Sequence, residues 1–168
     1  VNEDQSAIVS KIKTGLNSSS DLKLPISPQS IAGYVAFSRT SLNLPDVYDD
    51  EALKQIHPAL TFLKVVDKRS GYRTRQMLVA PILEGKTLYG VLQIINNKND
   101  QIFSELDVEG VTQLCKTLAT AIRQRIRKQE ESVRRMVTKY DDLVASGVMT
   151  PDELQQCLKQ AREQGQTV

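Results

Sequence analysis

The chain has 168 residues, enough for one domain of ordinary size with an extension. Its composition, 40% hydrophobic and 25% charged, is typical of a soluble protein, and its net charge of +2 excludes a strong electrostatic attraction to nucleic acid or membranes. No apolar run approaches the roughly 20 residues that cross a bilayer. Its cysteines, Cys115 and Cys157, are too few for a disulfide framework, so we expect a cytoplasmic protein.

Short elements separated by turns are predicted for the first third of the chain. The signals are alternation of apolar and polar residues for strands, helical spacing of apolar residues, and acidic residues ahead of a helix. The predicted elements are strands over residues 7–13 and 21–24, a helix over 30–38, an extended segment over 42–45 and a helix over 51–56.

Residues 65–97 carry the strongest pattern. Two apolar runs, 77–83 and 88–95, flank a tight turn at Glu84-Gly85, which predicts a β-hairpin. Because the runs are apolar at nearly every position, we expect the hairpin at the centre of a sheet that is covered on at least one face. The preceding residues 67–76 are rich in hydrogen-bonding side chains and predict a polar, ligand-binding loop.

A long amphipathic helix is predicted from Ser104 to a C-cap at Gly147. Its length requires a partner, and a parallel coiled coil with a second copy of the chain is the simplest one. A basic cluster at residues 123–128 is interpreted as a solvated face rather than a nucleic-acid surface. The apolar stripe consists of Val111, Leu114, Leu118, Ile122, Ile126, Val133, Val137, Tyr140 and Val144.

The end of the chain predicts a new helix. Thr150 is placed as its N-cap, Pro151 as its first residue and Glu153 as the second half of a capping box. One short helix cannot bury an apolar face by itself, so residues 148–168 are interpreted as the beginning of a further domain. The chain starts at Val1 without methionine, and we therefore interpret it as part of a longer protein.

The residues that could carry chemistry do not form a catalytic constellation. Gly85-Lys86-Thr87 lacks the earlier glycine of a phosphate-binding loop, since Ala80 stands there. The single histidine, His57, is interpreted as a helix-end or surface residue, and Cys115 as a core residue, with a redox role as the alternative. We therefore predict no enzymatic activity and no metal site in this chain.

Several ordered motifs resemble a GAF domain, the small-molecule-sensing module of signalling proteins, and especially those of cyclic-nucleotide phosphodiesterases. The resemblance covers residues 6–125 and implies an α+β, PAS-like fold in which helices flank a central antiparallel sheet. It implies a GAF core at residues 1–106, with its opening helix and first strand missing or truncated, and a signalling helix at 107–146. The motifs are LPISPQSIAGYVAFSRTSLNLPDVYDD, VDKRSGYRTRQMLVAPI, GVLQIINNK and FSELD.

The same resemblance implies a ligand site between the sheet and a helical lid. Ser10 and Lys11 stand where nucleotide-binding relatives have an aromatic residue and an acid, so the ligand stays open between a cyclic nucleotide and another small molecule. The family signature survives as Asn97, Lys98, Phe103 and Asp107, with Val108 in place of its glutamate, and implies a structural lock between Lys98 and Asp107. The implied ligand-binding residues are Ile31, Ala32, Asp67, Ser70, Thr74 and Gln93.

Residues 143–168 are similar to the opening of the N-terminal domain of type II secretion and type IV pilus assembly ATPases. This second resemblance implies a GAF module placed ahead of a secretion motor in the same chain. Two hypotheses of function remain open. In one, a small ligand regulates the motor through the long helix; in the other, the domain is a ligand-free dimerisation or docking module.

Overall fold

A computed structural model of the chain describes residues 1, 6–9, 23–99, 101–148, 150–153, 155, 156 and 159, without the side chains of residues 69 and 70. The chain divides into two compact units, Val1–Thr120 and Ala121–Val168. In chain order the elements are β1 (Ala7–Val9), β2 (Lys23–Pro25), α1 (Ile31–Ser38), β3 (Leu42–Leu44), α2 (Asp50–Ile56), α3 (Lys64–Ser70), β4 (Met77–Glu84), β5 (Thr87–Ile95) and α4 (Glu105–Ala145).

The β4–β5 hairpin forms most of the main sheet. Its strands pair antiparallel, and its turn contains Gly85 at φ 58°, a left-handed conformation that glycine adopts without steric cost. Strand β3 pairs antiparallel with the other edge of β4, so the order is β3-β4-β5 with β4 at the centre, while β1 and β2 form a separate antiparallel pair. The predicted hairpin and the predicted α+β class are confirmed.

Alternate residues of β4 point to opposite faces of the sheet. Met77 and Val79 belong to a hydrophobic cluster that includes residues of α1. Ala80 lies on the other face, where the Cys115 Sγ of α4 is 4.0 Å from its carbonyl oxygen. Both faces of β4 are therefore buried. The cluster consists of Ile31, Val35, Leu44, Val47, Leu53, Leu60, Met77 and Val79.

Helix α1 begins as predicted. The Ser30 side chain accepts a hydrogen bond from the Gly33 amide at 3.1 Å, which satisfies one of the free N–H groups of the first turn. Gly33 itself is required by close packing, because a Cβ atom there would lie 2.6 Å from the Ser27 carbonyl oxygen and 2.7 Å from that of Pro25. The loop before α1 therefore rests directly on the helix backbone.

Helix α3 shows that the predicted loop over residues 67–76 is wrong in its first part. The sequence predicts one polar loop over residues 67–76, but residues 67–70 are the last turn of Lys64–Ser70. The helix ends at Gly71, which takes the left-handed conformation at φ 68° and donates its amide to the Asp67 carbonyl at 2.9 Å. The irregular segment that remains is 71–76.

Helix α4 agrees with the prediction at Val111 and Cys115 and differs from it at Leu114. In the first unit its buried residues are Val111, Cys115 and Ala119, whereas Leu114 of the predicted stripe is 45% exposed. Small side chains at positions 115 and 119 let the helix approach the sheet closely. No helix among the described residues is long enough and apolar enough to span a membrane.

The predicted end of α4 is confirmed. Gly147, at φ 75°, donates its amide to the Val144 carbonyl, and the Val148 amide reaches the Leu143 carbonyl, both at 3.0 Å. This pair of bonds is a Schellman cap. The capping box is confirmed as well: Thr150 and Glu153 exchange hydrogen bonds of 2.8 to 3.3 Å, and helical residues come next in the chain.

Replacing Gly33 by alanine tests the close contact before α1. In an open helix position this change stabilises by about 0.5–1 kcal/mol, but at Gly33 the new Cβ would overlap two backbone oxygens, so we expect the free energy of unfolding to fall by about 1–3 kcal/mol. Gly110→Ala in α4 is the matched control, because nothing lies within 4 Å of its Cβ position. Chemical denaturation of both variants measures the difference, and stabilisation by both would contradict the contact.

Candidate functional site

The buried carboxylate of Asp67 is the centre of the candidate site. Asp67 is 8% exposed and Thr74 is 4% exposed. Asp67 Oδ2 accepts from the Thr74 amide at 2.7 Å and Oδ1 from the Thr74 hydroxyl at 2.8 Å. The Tyr48 hydroxyl donates to Oδ2 at 2.9 Å. A buried charge requires such donors, so this network ties α3, segment 71–76 and the loop before α2 together.

Tyr48 connects this carboxylate to charged groups at the surface. Its ring packs against Phe62, with the centroids 5.2 Å apart, while the Arg73 guanidinium lies 4.3 Å from the ring centroid. The Lys64 ammonium lies 5.4 Å from the same centroid. Loss of hydration, followed by the hydrogen bond and the charge of Asp67, raises the pKa of the Tyr48 phenol above 10.0. Tyr48 is therefore a proton donor to Asp67 at neutral pH.

Asn96 and Gln76 hold segment 71–76 against the end of β5. The Asn96 side chain accepts from the Arg75 amide at 2.7 Å and donates to the Arg73 carbonyl at 2.8 Å. Gln76, which is 2% exposed, accepts from the Asn97 amide at 3.0 Å. Asn96 has φ 54°, a left-handed conformation that asparagine adopts more readily than most residues. The candidate loop is thus fixed at both of its ends.

The structure brings together only some of the predicted ligand-binding residues. Asp67 and Thr74 are in direct contact, whereas Gln93 is exposed on β5, in register with Val79. Ile31 and Ala32 are buried in the first turn of α1. The side chain of Ser70 lies outside the described residues, as do Ser10 and Lys11.

The start of α1 is joined to the segment that leads into α3. Ser30 and Thr61 form a parallel β-bridge. Thr61 donates both its amide and its hydroxyl to the Gln29 carbonyl, at 3.1 and 2.9 Å. These bonds join the residues before Ile31 to the segment that leads into α3. The backbone at the start of α1 is in close contact with the preceding loop, whose carbonyl oxygens lie against Gly33.

A surface depression and the described cysteine, Cys115, lie away from the predicted ligand-binding residues. One depression of about 400 Å³ is lined by Val108, Glu109, Thr112, Gln113 and Lys116, and none of the six predicted residues lines it. Burial raises the pKa of the Cys115 thiol, which disfavours the thiolate that nucleophilic or redox chemistry requires. Among the described residues no group of three or more His, Cys, Asp or Glu side chains is arranged to hold a metal ion.

The implied lock between Lys98 and Asp107 is replaced by a helix cap. Asp107 Oδ2 accepts from the Ser104 hydroxyl at 2.8 Å and from the Ser104 amide at 2.7 Å. These bonds hold the pKa of the Asp107 carboxyl below its ordinary value of 3.8. Lys98 is exposed, and no ion pair joins it to Asp107 among the described contacts. Asp107 therefore stabilises the start of α4.

Sequence reasoning missed Tyr48, Gln76 and Asn96 as residues of this site. Tyr48 lies between acidic residues, in a segment whose pattern indicates only a helix start. Gln76 falls within the predicted loop, although its amide is buried at the first residue before β4. The Asn96-Asn97 pair directly after an apolar strand was the available signal, because asparagine is favoured where a strand ends in a left-handed turn.

Comparison with known proteins agrees with this fold. The GAF domain family matches residues 5–122. The chain belongs to the GAF family.

Curated relatives of the chain are cyclic-nucleotide phosphodiesterases. A dual 3′,5′-cyclic-AMP and -GMP phosphodiesterase 11 of Drosophila melanogaster is 40% identical over 78 residues, which are 46% of this chain and 5% of that protein. A probable 3′,5′-cyclic phosphodiesterase of Caenorhabditis elegans is 32% identical over 110 residues, 66% of this chain and 14% of that protein. The chain thus spans a small part of the length of these relatives.

A solved structure is similar to part of the chain. It is the GAF domain from a phosphoenolpyruvate-protein phosphotransferase of Coxiella burnetii, with 24% sequence identity and a TM-score of 0.49. The similarity covers 64% of this chain and 56% of that chain.

Thr74→Val tests the Asp67 network. Valine keeps the shape of threonine but removes the hydroxyl that Asp67 Oδ1 accepts, so we expect the free energy of unfolding to fall by about 1–3 kcal/mol. Thr120→Val is the control, because its exposed hydroxyl bonds only the helix carbonyl of Lys116, and its effect should stay within about 0.5 kcal/mol. Equal effects in urea denaturation would show that the Asp67 bond contributes nothing.

Proposed function

We propose that this GAF domain is a regulatory module that binds a small ligand at Asp67 and Thr74 and passes the change on through α4. The observation that carries the proposal is the buried Asp67 carboxylate, which accepts hydrogen bonds from Thr74 and Tyr48 beside a loop that exposes Arg73. Relatives named as cyclic-nucleotide phosphodiesterases support the ligand-sensing role. Ile31, Ala32, Ser70 and Gln93 are the remaining proposed ligand-binding residues.

The functional groups of the site indicate which functional groups its ligand carries. A carboxylate accepts hydrogen bonds and repels anions, so the ligand presents N–H or O–H donors to Asp67. The exposed guanidinium of Arg73 suits a phosphate or carboxylate group of the same ligand. A cyclic nucleotide combines both features, and so do other small metabolites that carry a donor edge and an anionic group.

Binding requires an exchange of hydrogen bonds. Asp67 already accepts from Thr74 and Tyr48, so a ligand that reaches the carboxylate has to replace one of these donors. Replacement of Tyr48 frees its ring together with the stacked Arg73. The ligand shifts this equilibrium only by the difference between its affinities for the two arrangements. Segment 71–76 is the element that changes.

The signal leaves through α4, which begins after segment 71–76 and the β-hairpin in the chain. On the similarity of residues 143–168 to secretion and pilus assembly ATPases, the proposed output is such a motor in the same protein. The ligand then changes the activity of the motor without taking part in its chemistry.

A second candidate function is a ligand-free dimerisation or docking module. The favouring observations are that Asp67 and Thr74 bond one another and that Gln93 lies at an exposed position of β5. In that case the buried network is structural, and the long helix carries the function.

Ligand binding is tested by thermal shift with cyclic AMP, cyclic GMP, cyclic di-GMP and a panel of small metabolites. A ligand that binds only the folded state at 100 times its dissociation constant raises stability by about 2.7 kcal/mol. We expect one class to raise the melting temperature of the wild type and of Thr120→Val, but not of Thr74→Ala, each measured against its own ligand-free value. No shift with any compound would favour the docking module.

Dimerisation through α4 is the proposed partner interaction. Sedimentation of the 168-residue chain against the same chain cut at Arg123 measures it directly. We expect the whole chain to be a dimer and the shortened chain to be a monomer, because the cut removes most of the apolar residues of the second unit's helix. Two monomers would exclude this interface.

A further inference from the structure

The part of α4 that lies in the second unit carries a strict heptad repeat. The residues at its seam are spaced at alternating steps of four and three, as in a two-stranded coiled coil. In the single chain its apolar members are half-buried or exposed, with Ile126 43% exposed. The seam differs from the predicted stripe by containing Met136 and Leu143 instead of Val137 and Val144, and by including Gln129. Its members are Ile122, Ile126, Gln129, Val133, Met136, Tyr140 and Leu143.

The charges beside the seam are complementary to a second copy of the same helix. With Ile126 at heptad position a, Arg125 occupies position g and Glu130 the following position e. In a parallel pair, g of one helix meets the next e of the other, so Arg125 lies beside Glu130 of the partner subunit. Among the described residues, neither side chain takes part in an ion pair within its own chain. Both are available for this contact.

An antiparallel pair is disfavoured by the same charges. Reversing one helix about the middle of the seam brings position g opposite position g, which sets Arg125 against Lys139 of the partner subunit. Two like-charged contacts then replace two attractive ones. Electrostatic interactions between side chains that are exposed in the single chain therefore favour the parallel orientation.

Gln129 sets the register. Its amide is the most polar group of the seam, where the Tyr140 hydroxyl is the other polar group, and in a parallel pair without stagger it faces Gln129 of the partner subunit. The two amides can then donate to and accept from one another. Any shift along the seam would bury each amide against apolar side chains without a partner, which costs about 1–3 kcal/mol per group. One alignment is thereby favoured over its neighbours.

We propose that residues 122–143 form a parallel, in-register coiled coil with a second copy of this chain, in which Arg125 and Glu130 pair across the interface. The occupant is a second copy because the seam is self-complementary in both charge and polarity. The seam is about 33 Å long at 1.5 Å per residue. This inference rests on the proposed role of α4 as the interface and output helix.

Charge exchange on the 168-residue chain tests the proposal. Sedimentation equilibrium measures the dimer dissociation constant of the wild type, Arg125→Glu, Glu130→Arg and the variant with both changes. We expect each single change to raise the constant about tenfold, since each turns two attractive contacts into repulsive ones. The double change should recover most of the loss. Unchanged affinity in the single variants, or an additive loss in the double one, would overturn the pairing.

The matched control uses the neighbouring charges on the outer face. Arg127 and Glu131 form an ion pair of 3.3 Å within one helix, so Arg127→Glu and Glu131→Arg change the net charge equally without touching the seam. Their dissociation constants should stay close to that of the wild type. A loss as large as that of Glu130→Arg would mean that net charge, not the proposed pair, controls association.

Crosslinking tests orientation and register. In a chain that carries Cys157→Ser, Gln129→Cys should form a disulfide with its own copy under mild oxidation, because only the parallel, in-register alignment places residue 129 opposite itself within disulfide distance. Glu131→Cys, on the outer face, should remain uncrosslinked. Equal crosslinking of both, or none of Gln129→Cys, would overturn the alignment. Thermal shift with ligand is measured separately, so a failed coiled coil and a failed ligand site give different results.

Discussion

The buried carboxylate of Asp67 is the constraint on which the candidate site depends. A charge that is removed from water must be surrounded by hydrogen-bond donors, and here Thr74 and Tyr48 provide them from two other parts of the chain. The requirement explains how a seven-residue helix with two β-branched valines persists: Asp67 anchors its last turn, and Gly71 closes it. The Asp67 carboxylate therefore joins three segments of the chain.

Strand β4 is the corresponding constraint on the fold. It is paired on both edges over residues 77–79 and buried on both faces, so α1 and α4 each pack against alternate residues of the same strand. Pro81 is tolerated because β3 has already ended there, which leaves that edge of β4 without a described ladder partner. The site is built on the parts of the molecule that this strand positions: the end of β5 and the entry to β4.

The sequence predicts the structural elements that depend on contacts between residues close to one another in the chain. The Gly85 hairpin, the Gly147 stop and the Thr150 capping box each depend on residues a few positions apart, and the sequence predicts each of them. Helix α3 is not predicted because it has only seven residues, and because the local pattern does not show the hydrogen bonds that Asp67 accepts from Tyr48 and Thr74. The buried face of α4 was displaced because periodicity favours Leu114, while close approach to β4 selects Cys115 and Ala119.

The site was predictable as a segment but not as a set of contacts. Asp67 and Thr74 are both predicted ligand-binding residues, but nothing in the sequence indicates that they bond each other, or that Asp107 bonds Ser104 rather than Lys98. The Gly147 cap has a consequence of its own. The hydrogen-bond ladder of α4 stops there and a new one starts after Thr150, so the rotational phase of the long helix is not inherited by the helical residues after Thr150.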